Sequence, residues 1–366
     1  MHTCIIHIGM HKTGSTSIQH SLQGFADQHF TYAELGDNPN HSCAIYDLFT
    51  REGERGFFDV EPAVQVAERY EAQLQQAIAR NEQRNLIISG EQISSMHPGA
   101  LVRLRDFLKP RFETTRIVGY VRPPASYLAS AFQQRLKKRN PKFEPLRLYR
   151  SYRDTFHKFD EIFGAGNVEL WKFDPSTLHN RCAVSDFCRR LGIEIPPERV
   201  RTENESLSRQ FVGLLYIYRQ YAPALAASLQ IEEVEELNRR LSAVWSDKFA
   251  LSPELTQAIH RQYAEDIAWM EDRLGQHLGE QPKTVPHAVD SEADLLRTPT
   301  QTLEELCALV GQRPPEAPEQ PGPEAIAQLF HRLRNTKAEQ QVQPAPSHSP
   351  LARVKNAARR LFRRPA

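Results

Sequence analysis

The strongest indication of the fold is the stretch Thr3-Cys-Ile-Ile-His-Ile-Gly-Met-His-Lys-Thr-Gly-Ser-Thr-Ser17. An apolar run, Thr3–Ile8, leads into a glycine-containing loop, and Ile18 and Leu22 follow with the spacing of one helix face. A buried strand that turns through glycines into a helix is typical of a βαβ unit. The backbone N–H groups of such a turn and the helix dipole together attract phosphate. The stretch therefore predicts both an α/β fold and a local anion site.

Further apolar runs predict three more buried parallel strands, at Leu86–Ser89, Arg116–Val121 and Val168–Lys172. Helical patterns of period 3.6 lie between them, and from about Ser206 onward nearly all of the pattern is helical. We therefore predict an α/β fold with a central parallel sheet flanked by helices, a helical C-terminal half and a disordered tail.

The composition changes after Glu280, where 12 of the 25 prolines are found. Proline-rich segments of this kind cannot build a core. The final segment carries six Lys or Arg side chains beside an apolar helical face, which favours contact with an anionic membrane. We predict an α/β domain at 1–280, a Pro-rich low-complexity linker at 281–350 with short helices near Leu303–Val310 and Ile326–Leu333, and a basic amphipathic segment at 351–366.

The overall charge and the cysteines limit the class of protein. The formal net charge is +1, so nothing draws the whole chain toward nucleic acid and any anion site must be local. The five cysteines have no metal-ligand spacing, and the first apolar run is too short for a signal or a membrane span. We expect a cytoplasmic protein with reduced thiols and no metal, peripheral to the inner face of the membrane through its last segment.

The loop departs from the nucleotide-triphosphatase pattern GxxxxGK[ST]. Gly9 and Gly14 have the right spacing, but Ser15 stands where the lysine should be, and the lysine lies inside the loop as Lys12. A lysine there still neutralises a phosphate-like oxygen, although the grip on a magnesium nucleotide is not the usual one. The plainer interpretation is a glycine turn that only opens a helix.

A second candidate anion motif follows the third predicted strand. Arg122 stands at the carboxyl end of that strand, which is the ligand edge of an open α/β sheet, and Ser130 lies two helical turns further on. By itself, the motif is better explained by an arginine that pairs with a carboxylate.

Together the two motifs resemble the sulfotransferases that use 3′-phosphoadenosine 5′-phosphosulfate, over about residues 3–278. The segment Asn167–Asp174 is similar to a later core strand of that family. The resemblance implies a P-loop NTPase-like fold, this nucleotide as co-substrate and no metal. It implies that Lys12 stabilises the bridging oxygen of the leaving phosphate and that Arg122 and Ser130 bind the 3′-phosphate. The implied 5′-phosphate ligands are Lys12, Thr13, Gly14, Ser15, Thr16 and Ser17.

The acceptor hydroxyl needs a base, since a positioned general base contributes about 10²–10⁴-fold. Glu91 follows the second predicted strand at the ligand edge and is the first candidate; His41 and His97 are the alternatives. A capping or lysine-pairing carboxylate explains Glu91 equally well.

The function predicted from the sequence is transfer of a sulfuryl group to a hydroxyl of a glycan, a glycolipid or a small molecule. The basic stretch Arg135–Arg153 could border the cleft of an anionic glycan, or it could be a solvated face. Two other hypotheses remain: a P-loop kinase that uses ATP, and a non-catalytic nucleotide-binding module.

Overall fold

Five parallel strands form one sheet in the order β2-β3-β1-β4-β5. The structure, a computed structural model, describes residues 2–55, 64–81, 83–201, 206–280, 285, 287–314 and 321–336. The predicted α/β fold with a central parallel sheet is confirmed. The strands are β1 Thr3–His7, β2 Phe30–Tyr32, β3 Asn85–Ser89, β4 Thr114–Val121 and β5 Val168–Lys172.

The four strands predicted from apolar runs are present. β1 and β3 are buried at four of their five residues, as expected for strands covered on both faces, whereas β5 lies at the edge of the sheet and is buried only at Val168 and Leu170. The fifth, β2, has only three residues and gives no such run. In the register, His7 of β1 lies between Ser89 of β3 and Val118 of β4. The carboxyl ends of these three strands therefore lie side by side in the middle of the sheet.

Helices account for most of the remaining regular structure. In the described part of the chain they are α1 Ser15–Leu22, α2 Ser42–Phe49, α3 Val64–Ala79, α4 Pro98–Leu108, α5 Pro124–Lys138, α6 Tyr152–Phe163, α7 Ala183–Leu191, α8 Arg209–Tyr221, α9 Pro223–Ala226, α10 Ile231–Leu241, α11 Pro253–Gln262, α12 Ala264–Leu274, α13 Glu292–Leu296, α14 Thr300–Leu309 and α15 Pro323–Asn335.

The chain forms two compact units, and the first contains the sheet. On one face of the sheet, α1 and α7 pack with apolar side chains that include Ile5, Val118 and Phe187. On β4 and β5 lies α6, which also contacts α4 and α12. This unit comprises Met1–Phe132, Glu144–Ser206 and Leu251–Val285.

The second unit is helical, and its centre is α8, against which α13 and α15 pack. Phe211 of α8 and Phe330 of α15 are both fully buried there. The unit draws α8–α10 from the predicted α/β domain and α13–α15 from the predicted linker, where α14 and α15 overlap the two expected short helices. Its described residues lie within 133–143, 207–250 and 287–336.

Two expectations concern the end of the chain and the membrane. The predicted basic segment 351–366 lies outside the described residues. Among the helices that the structure describes, none combines the length and the hydrophobicity needed to cross a bilayer.

Candidate functional site: an anion loop between three strand ends

The order of the strands brings the predicted site residues to one edge. The loop that follows β1 is central, Glu91 begins the turn after β3, and Arg122 follows β4. Because β3 and β4 are the two neighbours of β1, both side chains flank the loop. A site at the carboxyl ends of parallel strands is the common location in open α/β sheets.

The loop itself has an unusual backbone. Gly9 and Gly14 have φ values of 36° and 81°, and Lys12 has a φ of 69°. A Cβ on Gly14 would lie 2.7 Å from the Cβ of Ala183, and one on Gly9 would lie 2.8 Å from Ser15 Oγ. Glycine is therefore required at both positions. A lysine in the left-handed region costs about 1 kcal/mol or more, and such residues cluster at ligand sites.

The start of α1 offers several unused donors. Gly14 is the N-cap residue, no side chain caps the helix, and its first turn contains no acid. Among the residues that the structure describes, the amides of Thr13, Gly14, Ser15 and Thr16 have no hydrogen-bond acceptor. The first turn of a helix leaves its N–H groups unpaired, and these attract anions. The loop is therefore suited to bind phosphate.

The hydroxyl groups of the loop do not all face the same way. Thr13 Oγ1 donates to the carbonyl of Met10 over 2.6 Å, so that hydroxyl holds the loop closed. Ser15 is 2% exposed, and its Oγ has no partner. Ser17 is buried and Thr16 is half-buried. Of the predicted hydroxyl donors, Ser15 is thus the one with an unmet hydrogen bond.

Arg122 is fixed against the loop. Its Nη1 donates to the carbonyl of Lys12 over 2.5 Å, and its Nε donates to Ser126 Oγ over 3.3 Å. Burial lowers the pKa of Arg122 to about 10, and the nearby Glu280 opposes that shift. The guanidinium is therefore still charged at neutral pH. Ser130, half-buried, lies one helical turn beyond Ser126 on α5.

An acidic side chain that the sequence did not predict lies at the start of α5. The carboxylate of Glu280 accepts from the amides of Ala125 and Ser126, each over 2.7 Å. It therefore holds the place that an anion would take at this helix N-terminus, beside Arg122. No local pattern could reveal it, because Glu280 is 155 residues from Ala125.

Glu91 belongs to a charged cluster that also includes His11, which we did not predict, and Arg150 of the predicted basic stretch. Arg150 Nη1 donates to His11 Nδ1 over 3.1 Å. Burial lowers the pKa of His11; Glu91 raises it, Arg150 and Lys12 lower it further, and Gln92 forms a hydrogen bond with the ring. Glu91 and the Lys12 ammonium are therefore close enough to act on one imidazole. His11 could have been predicted as a site residue from the sequence, because it directly precedes Lys12 in the loop.

The two alternative bases have structural partners. His41 is 1% exposed, and its Nδ1 accepts from the amide of Ser89 over 3.1 Å. Burial lowers the pKa of His41 to about 4. His97 caps α4, where its Nδ1 accepts from the amide of Gly99 over 3.1 Å and lies 3.4 Å from Glu54. Neither imidazole belongs to the cluster around Glu91.

The predicted basic stretch contains both buried and exposed side chains. Lys137 is 5% exposed and pairs with Glu235 over 3.0 Å, whereas Arg147 is exposed and lies 3.5 Å from Glu144. Arg150 is exposed beside His11. Within the described ranges, no group of three or more His, Cys, Asp or Glu side chains could hold a metal ion.

A solved structure is similar to this chain. It is the crystal structure of a sulfotransferase from Alicyclobacillus acidocaldarius, with 15% sequence identity and a TM-score of 0.40. The match covers 75% of this chain and 97% of that chain. No family model and no curated protein matches this chain.

Proposed function

We propose that this protein is a sulfotransferase that moves the sulfuryl group of 3′-phosphoadenosine 5′-phosphosulfate to an acceptor hydroxyl. The observation that carries the proposal is the loop between β1 and α1. Its unpaired amides lead an uncapped helix, and Arg122 and Glu91 flank it from the neighbouring strands. A phosphate site with a cation on one side and a carboxylate on the other suits a transfer from phosphate to a hydroxyl.

The residues of the loop fit the 5′ end of this nucleotide. Ser15 Oγ is a buried hydroxyl without a partner, which costs about 1–3 kcal/mol unless a ligand or a water satisfies it. A phosphate oxygen would accept from that hydroxyl and from the amides beside it. The ammonium of Lys12 would add a positive charge at the same point.

Arg122 and Ser130 would bind the 3′-phosphate. The support is that Arg122 is held by Lys12 on one side and by Ser126 on the other, so the guanidinium is oriented before a ligand arrives. Glu280 now accepts the two amides at the start of α5. A phosphate that approaches Arg122 would therefore compete with this carboxylate.

The reaction uses one base and one electrophilic stabiliser. The acceptor oxygen forms a bond to sulfur while Glu91 takes the hydroxyl proton. The bond between sulfur and the bridging oxygen breaks, and its electron pair stays on that oxygen, where Lys12 stabilises the charge. The products are the sulfated acceptor and adenosine 3′,5′-bisphosphate.

The acceptor class that we propose is an anionic or carboxylated glycan, free or carried on a lipid; a small alcohol is the alternative. The support is the exposed Arg150, which lies 3.1 Å from His11 in the cluster that contains Glu91. A guanidinium binds a carboxylate with two parallel hydrogen bonds. Arg150 could thus orient an acidic sugar whose hydroxyl faces Glu91.

A melting experiment with a transfer assay tests the proposal. We expect adenosine 3′,5′-bisphosphate to raise the melting temperature in the presence of a chelator; at 100 times its dissociation constant it adds about 2.7 kcal/mol. Labelled sulfate should then move from the phosphosulfate to a member of a glycan, glycolipid and alcohol panel. Stabilisation by magnesium-ATP alone would instead support a kinase. Binding of the bisphosphate without transfer to any acceptor would support a non-catalytic module.

A further inference from the structure

A row of buried polar side chains lies under the loop between β1 and α1, at residues 8–14, which we call the anion loop. His7 on β1, Ser89 on β3 and Gln19 on α1 are each no more than 1% exposed. His7 Nδ1 is 2.8 Å from Ser89 Oγ, and Gln19 Nε2 donates to the same oxygen over 3.3 Å. Three polar side chains in a sheet core are costly unless they are hydrogen-bonded to one another. The row connects the core of the sheet with the floor of the loop.

Two atoms at the upper end of this row have no partner. They are His7 Nε2 and Ser15 Oγ, both of which are buried. Both point at the same gap: a Cβ on Gly9 would lie 3.2 Å from His7 Nε2 and 2.8 Å from Ser15 Oγ. Gly9 therefore keeps the space between them open. Two unsatisfied polar atoms that face one gap at an anion loop indicate that a ligand completes their hydrogen bonds.

We propose that His7 is a positioning residue of the anion loop, which turns the Ser15 hydroxyl into a donor to the bound 5′-phosphate. The row then runs in one direction. In the structure Gln19 donates to Ser89, which lies against His7 Nδ1, while His7 Nε2 and Ser15 Oγ still have no partner. When phosphate binds, we expect Ser15 Oγ to turn across the gap beside Gly9 and accept from His7 Nε2–H, so that the Ser15 proton points to the phosphate oxygen. Chains of this kind strengthen each member by polarisation. The inference rests on the proposed function for the identity of the nucleotide.

The state of His7 suits this role. Burial lowers the pKa of His7 to about 4, so the ring is neutral at neutral pH and has one N–H to donate. The hydroxyl of Ser89 has a second possible acceptor, since it also bonds to the Tyr32 side chain. When Ser89 donates to Tyr32, the His7 proton is on Nδ1; when it donates to His7, the proton is on Nε2. A bound anion selects the second arrangement, because only that one gives Ser15 a donor.

The test compares variants of full-length protein by titration calorimetry. The ligands are adenosine 3′,5′-bisphosphate, adenosine 3′-phosphate and inorganic pyrophosphate. His7→Asn keeps a group that faces Ser89 but loses the distal nitrogen, whereas His7→Gln keeps a distal N–H donor. We expect His7→Asn and Ser15→Ala each to weaken bisphosphate and pyrophosphate binding about 10-fold, near the lower end of the range for one charged hydrogen bond. His7→Gln should lose much less, and no variant should change the affinity for adenosine 3′-phosphate, which has no 5′-phosphate.

The double variant separates a relay from two independent effects. If His7 acts through Ser15, His7→Asn with Ser15→Ala binds no more weakly than Ser15→Ala alone. Losses that multiply to about 100-fold, or an equal loss for the ligand without a 5′-phosphate, would overturn the inference. If His7→Asn does not fold, Ser89→Ala replaces it, since it removes the group that orients His7 and changes little volume. If the wild-type protein binds pyrophosphate but not the bisphosphate, the proposed function is contradicted, while the role of His7 is still tested with pyrophosphate. If the wild-type protein binds neither ligand, both the proposed function and the role of His7 are overturned.

Discussion

At the scale of single residues, Glu91 is the carboxylate that we expect to act as the general base. Glu91→Gln keeps the shape of the side chain and removes its basicity. We expect turnover to fall by about 10²-fold or more, while affinity for the bisphosphate nucleotide changes little. Glu68→Gln, an exposed carboxylate on α3, is the matched control and should leave turnover unchanged. Near-normal turnover in folded Glu91→Gln would rule Glu91 out, and His11, in the same cluster, would be tested next.

Arg122 is the residue on which the 3′-phosphate assignment depends. Arg122→Ala should weaken binding of adenosine 3′,5′-bisphosphate by about 1.5–3 kcal/mol, the range for a charged hydrogen bond. The loss should be much smaller for adenosine 5′-phosphate, which has no 3′-phosphate. Calorimetry with both ligands distinguishes this role from a structural one. Because Arg122 also bonds to the Lys12 carbonyl, a purely structural role would weaken both ligands equally.

The two buried histidines predict how stability responds to acid. Burial lowers the pKa of His7 and of His41 to about 4, from 6.5. Between these values the unfolded chain binds protons that the folded chain does not. The contribution of the two histidines to the free energy of unfolding is therefore complete above about pH 6.5 and decreases as the pH drops toward 4. Urea unfolding at a series of pH values measures this. His41→Gln should reduce the slope by at most about 1.4 kcal/mol per pH unit, and an unchanged slope would contradict the assignment.

At the scale of elements, the N-termini of α1 and α5 differ in what they hold. The start of α1 has no capping side chain, whereas the start of α5 carries the Glu280 carboxylate. Glu280→Gln removes the negative charge that faces Arg122. We expect it to tighten bisphosphate binding by roughly 2- to 5-fold, because a charge at a helix end contributes about 0.3–1 kcal/mol.

The same substitution should lower the free energy of unfolding by about 0.5–1 kcal/mol, since α5 loses a charged cap. Calorimetry and urea unfolding on one preparation measure the two effects together. Weaker nucleotide binding in Glu280→Gln would indicate that the carboxylate orients Arg122 for the ligand rather than competing with it. His260, whose Nε2 lies 3.7 Å from Glu280, gives the control His260→Gln, which leaves the carboxylate in place.

At the scale of the whole molecule, the second unit determines where the chain can be cut. α15 packs on α8, and its Phe330 and Leu333 are fully buried, so a truncation at residue 282 would expose the core of that unit. A membrane test must therefore remove only the end of the chain. We predict that residues 351–366 bring the protein to the surface of an anionic membrane.

Deletion of 351–366 should abolish sedimentation with vesicles of anionic lipid and leave turnover of a soluble acceptor nearly unchanged. Six cations that each contribute about 1 kcal/mol near an anionic surface are enough for measurable binding. Neutral vesicles and a deletion of 337–350 are the controls. Equal sedimentation with and without the last segment would eliminate the membrane proposal.

How much the sequence could predict depends on the range of each interaction. The strand-loop-helix at Thr3–Leu22 and four of the five strands could be predicted. The central strands β1 and β3 are buried and therefore apolar, the edge strand β5 keeps a short apolar run, and the loop needs glycine at fixed positions. The location of Glu91 and Arg122 at strand ends was readable for the same reason. The three-residue strand β2 was not, since so short an element has no period.

Contacts between groups that are far apart in the chain depend on the tertiary fold and could not be predicted. Glu280 reaches the start of α5, and Arg150 reaches His11, across 155 and 139 residues. The sequence could not separate Thr13, which closes the loop, from Ser15, whose hydroxyl has no partner, because both are hydroxyls in one turn. Strand order made β1 the neighbour of both β3 and β4, and that order follows from packing of the whole sheet rather than from any local pattern.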